Sequence, residues 1–407
     1  MMKKEEFSVN EKKWLREKIP KVRKALLNNL SDFIQYTKSP LLKAGDVYAG
    51  IWLEHNQDNF FLADYDKKAA WASQDVFMKY QREDGLFPFA LPCEFDKKAF
   101  FDAPALYWHV QCIWSFTRCA LEIAKKVKCS ESDFIRIYNS GSRYDAWFEK
   151  LRNRKKTGLA EMYCEWDTGH DNDPRVTEDG IPHTCPGNDS VNMPDLPLMP
   201  VLSVDLSAML YGNRMALAEL AEQLGKDSEA GQWREKAENI RHAIKKYLYD
   251  QEDEFYYDKD SFGFRKYRTE HITRLFLNHV LTQDEFDHIY SRYFEQQDKE
   301  FCPPFPIPSM SVSDPHFVKE CPKNSWGSNS QALTSLRALL WMDYYNRGSD
   351  LDALLSLWLR SCIMYDSKFT QEINPFDGKP VGSACNYSPS LILFLEAVKR
   401  LKIADLS

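Results

Sequence analysis

Several features are scarce in these 407 residues, and each absence narrows the field. The ten cysteines include no CxxC pair, and Cys112, Cys119 and Cys362 stand in apolar helical surroundings, which favours buried thiols over a disulfide framework. The start, Met-Met-Lys-Lys-Glu-Glu-Phe7, is charged and has no apolar signal core, and no stretch approaches the length of a bilayer. The chain therefore reads as soluble, unexported and cytoplasmic. No Lys/Arg run is long enough to follow a phosphate backbone, and the net charge is −7, which argues against nucleic acid as a partner. Low-complexity linkers, fixed-period repeats and composition shifts are also missing, so one domain spanning residues 1–407 is expected.

Helical periodicity and aromatic side chains are abundant. Hydrophobic residues make up 43% and aromatics 14%, enough for a large interior with rings to spare as stacking faces for sugars. Apolar residues recur at helical spacing over 20–36 (Val22, Leu26, Leu30, Phe33, Ile34), 67–82, 103–128 and 132–154. They recur again over 205–224, with Asp205 or Ser203 as cap and Gly225 as stop, and over 228–249, 282–295, 330–345, 351–365 and 388–401. Strand signals are sparse, with 254–258 as a short candidate. Ten to twelve helices with short connections predict an all-α toroid of paired helices, the (α/α)6 barrel. In such a ring the loops collect at one rim and carry the chemistry.

Two loops hold polar residues that invite a chemical reading. The first, 158–175, places Glu165, Asp167, Asp171 and Asp173 around one Trp and one Arg. Four like charges so close gain nothing from simple turn formation. An Asx-rich turn or an acidic metal loop is the alternative, but for a metal the spacing lacks the regular pattern and terminal Glu of an EF-hand. The second, 368–382, sets Glu372 just ahead of Asn-Pro and Asp-Gly turns. Together they offer a carboxylic acid and a carboxylate, the equipment for hydrolysing a glycosidic bond, and an aromatic-lined site would keep the acid protonated near neutral pH. His183 and Cys185 hint at zinc, yet no second such pair stands nearby, so neither metal nor cofactor is expected.

The segment Trp166-Asp-Thr-Gly-His-Asp-Asn-Asp-Pro-Arg175 resembles the E-[ST]-G-x-D-[NF]-[SA]-[PS]-R signature of the trehalase and glycoside hydrolase family 63 clan, and in particular its mannosylglycerate/glucosylglycerate hydrolase-like branch. Gln371-Glu-Ile-Asn-Pro-Phe-Asp-Gly-Lys-Pro-Val-Gly-Ser383 resembles that group's C-terminal element E-x-[YN]-[DN]-P-x-[TD]-G-x-P-x-G-S. The resemblance implies an (α/α)6 barrel and an inverting mechanism, with Asp171 as general acid, Glu372 as general base, and Trp166, Asn172 and Arg175 shaping the sugar subsite. Similarity of Tyr48–Phe60 to the group's W-x-x-D-x-x-F region adds Trp52 as a stacking face and Asp58 as an acceptor for sugar hydroxyls. Trp108, within Tyr107-Trp-His109, and Trp326 complete the candidate lining.

This sequence departs from the pattern in three places. Asp167 stands where Glu is usual, His170 where Met or Trp is common, and the W-R-G-P-x-W loop survives only as Asn324-Ser-Trp-Gly-Ser-Asn329. The expected substrate is a small soluble α-glucoside or α-mannoside, and inversion requires the two carboxyl groups to stand about 6.5–9.5 Å apart. The rival readings are a sugar epimerase or isomerase using His109, His242 and His271, and a non-catalytic carbohydrate-binding toroid or an unsaturated glycuronyl hydrolase or lyase.

Overall fold

Ser8 starts the first helix with a reciprocal cap. Its backbone N–H donates to Glu11 Oε2 at 2.8 Å, and its Oγ accepts from the Glu11 N–H at 3.3 Å. A computed structural model describes residues 4–33, 35–96, 101–111, 113–319, 326–366, 368–382 and 385–405. Ile34, Cys112, Asn324, Ser325 and Ser383, all cited above, lie outside the described residues. Helix α1 (Val9–Asn28) contains Pro20 rather than beginning there, because the Ser8 cap starts the helix about three turns earlier and Leu15, Ile19, Val22 and Leu26 form one buried stripe. It also stops sooner than expected, since Leu30–Ser31 leaves the helix to pair with Leu41–Leu42.

The remaining helices are α2 (Asp58–Leu62), α3 (Lys67–Lys79), α4 (Phe116–Val127), α5 (Glu131–Leu151), α6 (Pro174–Thr177), α7 (Val204–Gln223) and α8 (Asp227–Leu248). They continue with α9 (Thr273–Leu277), α10 (Gln283–Tyr293), α11 (Ala332–Ala338), α12 (Gly348–Tyr365) and α13 (Ser388–Arg400). Six of them, α2, α4, α7, α9, α11 and α13, form an inner ring. Within it α2 packs on α4, α4 on α7, α7 on α9, and α11 on α13, while α13 closes the circle on α2. Between α9 and the end of α11, Phe276 meets Trp341 with ring centroids 5.2 Å apart.

Each inner helix has an outer partner: α3, α5, α8, α10, α12 and, across the chain ends, α1 against α13. Burial follows the layers. The inner α7 is buried on every face, including Asp205, Asn213 and Arg214, whereas the outer α8 buries one stripe of Ala and Ile. The polar groups buried in α7 have partners: Thr117 Oγ1 donates to Asn213 at 2.6 Å and Arg214 Nε to Asp145 at 2.8 Å. One hydrophobic cluster runs from Leu15 to Ile403. The strands among the described residues are two or three residues long and staple loops rather than build a layer. The chain is thus an all-α (α/α)6 toroid.

The described residues of 103–115 do not form the helix their periodicity predicts. Ser115 caps α4 only at Phe116, and Leu106 is tied into a loop ladder, donating to Ala90 O at 3.1 Å and accepting from Phe89 at 2.9 Å. That leaves Trp108 and His109 on a loop above the ring. Among the described residues, no helix is long and apolar enough to cross a membrane.

Candidate active site

The inner helices all begin at one end of the ring, and the segments that precede five of them surround a cavity of about 230 Å³. Its walls include Trp52, Glu54 and His55 before α2, Trp108 and His109 before α4, Trp166 and Asp171 before α7, Trp326 before α11, and Gln371 and Tyr387 before α13. Four of the expected stacking residues (Trp52, Trp108, Trp166 and Trp326) therefore meet at one place.

In the acidic loop, three of the four carboxylates are committed to structure. Asp167 is fully buried, receives Arg152 Nη1 at 2.6 Å, and accepts backbone N–H groups of Tyr163 at 2.8 Å and Val110 at 2.9 Å. Burial alone would raise its pKa, but Arg152 and these donors hold it below the ordinary carboxylate value. Glu165 accepts the Asn172 N–H at 2.8 Å and pairs with His183 Nδ1. Asp173 caps α6 by accepting the Arg175 N–H at 2.9 Å, and burial lifts its pKa to about 7 against the pull of Arg175. Turn, cap and ion pair thus account for these three, contrary to the expectation that turn formation explains little. Asp171 is the fourth, half-buried on the cavity wall, and its carbonyl accepts the Trp326 N–H at 3.1 Å. Gly169 permits this path: its φ is +72°, and a Cβ there would lie within 3 Å of the Glu54 carboxylate.

Three expected sugar contacts are placed elsewhere. Arg175 is fully buried beneath the loop, where it bridges Asp258, Asp205 (3.1 Å) and Asp173 (3.4 Å) and donates to His170 Nδ1 at 2.6 Å. It is a structural hub, because its one guanidinium bridges three buried carboxylates, of which burial holds Asp173 and Asp258 above the ordinary carboxylate pKa. Asn172 is exposed and serves through its backbone at φ +61°, a left-handed position Asn tolerates. Asp58 is 1% exposed and lies 3.1 Å from His55 Nδ1, so it orients that ring instead of meeting a sugar.

Sequence reasoning missed Glu54, which stands on the wall two residues after Trp52. It is 5% exposed, receives Arg337 Nη2 at 3.1 Å and Gln111 Nε2 at 3.2 Å, and presses on Gly169. It also missed His55, whose Nε2 lies 3.3 Å from the Tyr387 hydroxyl, and Tyr48, whose hydroxyl donates to Gln371 Oε1 at 2.7 Å. The only available signal was the Trp52-Leu-Glu54 spacing, weaker than the motif that pointed to Asp58.

His170 explains one departure from the family pattern. Its ring packs under Trp326 at 4.7 Å. Its Nδ1 lies 2.6 Å from Arg175 Nη2, and its Nε2 lies 2.6 Å from Glu270 and 2.7 Å from Arg274 Nη2. Burial pulls its pKa down to about 4, so it stays uncharged at neutral pH.

Glu372 is the centre of a three-stranded antiparallel patch, opposite Gln331 on one side and Val381 on the other. It is 1% exposed, stands directly behind the wall residue Gln371, and its Oε2 accepts from Asn329 Nδ2 at 2.6 Å. Tyr48 connects the two ends of the chain. Burial raises its phenol pKa, and the charges of Asp171, Glu54 and Glu372 raise it further.

Of the carboxylates a metal loop would use, Asp167 and Asp173 are committed to arginines, and His183 is taken by Glu165. Among the described residues, Cys164, Asp167 and Cys185 come close enough to share an ion, but Arg152 already occupies Asp167 and lies 3.5 Å from Cys185 Sγ. That group therefore does not fit a cation. The histidines of the epimerase reading do not converge either: His109 lines the cavity, His271 is bound to Thr269 and Tyr256 O, and His242 lies on the outer helix α8.

A family model described as the mannosylglycerate hydrolase MGH1-like glycoside hydrolase domain matches residues 61–390. No match is found among curated proteins. Among solved structures, the chain is similar to the GH63 mannosylglycerate hydrolase of Thermus thermophilus in complex with Tris, with TM-score 0.71, 16% identity, and coverage of 93% of this chain and 99% of that one. The same enzyme in complex with Tris and D-glycerate gives TM-score 0.69 at 16% identity, with 94% and 100% covered. Neutral trehalase Nth1 from Saccharomyces cerevisiae gives 0.66 at 11% identity, with 89% of this chain and 73% of that one covered.

Proposed function

The chain belongs to the mannosylglycerate hydrolase MGH1-like glycoside hydrolase family and is a glycosidase; on that premise we propose that Asp171 and Glu372 are its acid and base. Asp171, protonated, donates to the leaving glycosidic oxygen. Glu372, ionised, takes a proton from the water that attacks the anomeric carbon from the opposite face, and the sugar leaves with inverted configuration. The observation that carries this reading is Tyr48, which shares the cavity wall with Asp171 and donates its hydroxyl at 2.7 Å to Gln371, the chain neighbour of Glu372. Asn329, donating to Glu372 Oε2 at 2.6 Å, fixes the orientation of that carboxyl group.

The substrate is a small soluble α-glucoside or α-mannoside. A cavity of about 230 Å³ suits one sugar ring and a compact aglycone rather than a protein-bound glycan. Trp52, Trp108, Trp166 and Trp326 offer stacking faces, and Glu54, fixed by Arg337, supplies the hydroxyl acceptor first assigned to Asp58. The related Thermus enzyme is named for mannosylglycerate; the altered Trp326 loop leaves this chain's aglycone its own. No described cysteine is in a disulfide, which supports a reducing, cytoplasmic setting, and no nucleic-acid partner is proposed.

The test is a panel of α-glucosides and α-mannosides with wild type, Asp171→Asn and Glu372→Gln. Turnover is expected to collapse in both variants, and proton NMR is expected to show the β-anomer released first from an α-glycoside. Undiminished turnover in both variants removes the assignment, and release of the α-anomer removes inversion.

A further inference from the structure

The acidic loop leaves and re-enters the fold through two neighbouring stems. Glu165 N–H donates to Pro182 O at 2.9 Å, and Trp166 N–H to His183 O at 3.1 Å. Just outside these rungs, Cys185 S–H donates to Cys164 Sγ at 3.5 Å. Both cysteines are free thiols, 1% exposed or less, and with Tyr163 they form a small apolar cluster apart from the main core.

The two sulfurs have unequal surroundings. Burial pushes the Cys164 thiol well up, and its sulfur caps the turn Glu165–Asp167 by accepting the Asp167 N–H. Cys185 has Arg152 Nη2 at 3.5 Å, so negative charge that develops on its sulfur during reaction meets a guanidinium. It also stands directly before the exposed residues Pro186, Gly187 and Asn188, one residue below the surface. Because Arg152 keeps a cation out of this group, metal binding does not compete for the thiols. A disulfide needs a sulfur separation of about 2.05 Å, an approach of about 1.5 Å by side chains whose stems are already held together.

We propose that Cys164 and Cys185 are a redox pair that hydrogen peroxide closes into a disulfide, and that the bond resets the shape of the catalytic cavity. Cys185 Sγ attacks one peroxide oxygen, the O–O bond breaks, and the departing hydroxide leaves as water with the Cys185 proton, which makes Cys185 a sulfenic acid. Cys164 Sγ then attacks that sulfur, the S–S bond forms, and the hydroxyl leaves as a second water with the Cys164 proton. Two thiols lose two electrons and two protons, and one peroxide becomes two waters. The bond acts on two walls of the cavity. Trp166 lies on the turn that Cys164 caps, and the Cys185 N–H holds Trp108 O at 3.2 Å, so drawing the sulfurs together shifts both tryptophans. Formation of the bond does not depend on the roles of Asp171 and Glu372.

Intact mass and non-reducing peptide mapping of the full chain, first reduced and then treated with hydrogen peroxide, test it. Wild type is expected to lose about 2 Da, to yield one peptide pair joined at Cys164 and Cys185, and to revert with dithiothreitol. On a chromogenic α-glycoside the oxidised protein is expected to show KM raised about threefold or more, because two walls have moved. Its melting temperature is expected to rise by about 2 °C or more, because the bond closes residues 164–185 into a ring. Cys185→Ala is expected to keep the reduced enzyme's activity and to lose both responses to peroxide. No mass loss, a bond between other cysteines, an oxygen-bearing acid at Cys185 without a crosslink, or a crosslink that leaves KM and melting temperature unchanged would overturn the proposal. So would a peroxide response that survives in Cys185→Ala. The mass reading needs neither substrate nor variant, so its failure is distinct from failure of the acid and base assignment.

Discussion

The two arms of the active site achieve opposite ends by different means. Asp171 rides on a loop that reverses through left-handed positions at Gly169 and Asn172 and is held by a web of buried charge, with Arg152 on Asp167 and Arg175 on Asp173, Asp205 and Asp258. Glu372 sits in a strand only two residues long, fixed by neighbours on both sides and by one amide. The arm of the proposed acid contains several carboxylates: arginines hold Asp167, Asp173, Asp205 and Asp258, and Glu165 pairs with His183. The arm of the proposed base has one carboxylate to orient, by sheet register and Asn329. Charge density around a catalytic group is therefore no guide to its role: the most heavily bonded carboxylate here, Asp167, is structural.

That contrast can be broken at several points. The largest effect is expected from Asp171→Asn, with kcat reduced about 10²–10⁴-fold and the melting temperature nearly unchanged. Steady-state kinetics beside calorimetry checks both halves. Asp167→Asn should do the reverse, costing about 3–5 kcal/mol of stability by leaving Arg152 buried without its counter-charge. A denaturant titration that finds Asp167→Asn as stable as wild type would refute the division of labour. On the base arm, Asn329→Ala removes a donor to a charged group, a bond of about 1.5–3 kcal/mol, so kcat/KM should fall roughly 10–100-fold.

A smaller effect concerns acid stability. Burial would raise the Asp205 pKa, but Arg175 and its other partners hold it at about 2, below the ordinary value of about 3.9. A depressed carboxylate adds stability that is complete above its unfolded pKa and is lost as pH falls through the folded one. Melting curves between about pH 5 and 2 should therefore decline less steeply for Asp205→Asn than for wild type. The smallest effect is expected at Asn172→Gly: stability within about 0.5 kcal/mol and KM unchanged, since the position serves through backbone conformation. A raised KM would restore Asn172 as a sugar contact.

Much of the scaffold was legible because burial imposes a 3.6-residue period on any helix with one face inward. The helices expected over 205–224, 228–249 and 388–401 are found within a residue or so at each end; the first, buried on every face, was marked by its Ser203 cap and Gly225 stop instead. The failures came where local bonding overrode that period. Pro20 stands inside α1 because a cap lies upstream, and the described residues of the apolar 103–115 stretch form a loop because Leu106 is engaged with Phe89 and Ala90. At the site, the loop around Asp171 and the four tryptophans were readable from motif and residue type. Glu54 in place of Asp58, and Arg175 as a buried hub, were not, because which side of a short turn faces a cavity depends on partners hundreds of residues away, such as Arg337.

The sequence alone determined that this is a ring of amphipathic helices with an acidic loop and a distant Glu as candidate partners, since periodicity and motif are local and survive in one dimension. Only the tertiary structure decided which carboxylates are committed to arginines and which faces the cavity. Ion pairing and burial are properties of neighbours in space, and closing the ring by packing α13 on α2 brings residues as far apart as Tyr48 and Gln371 into one wall.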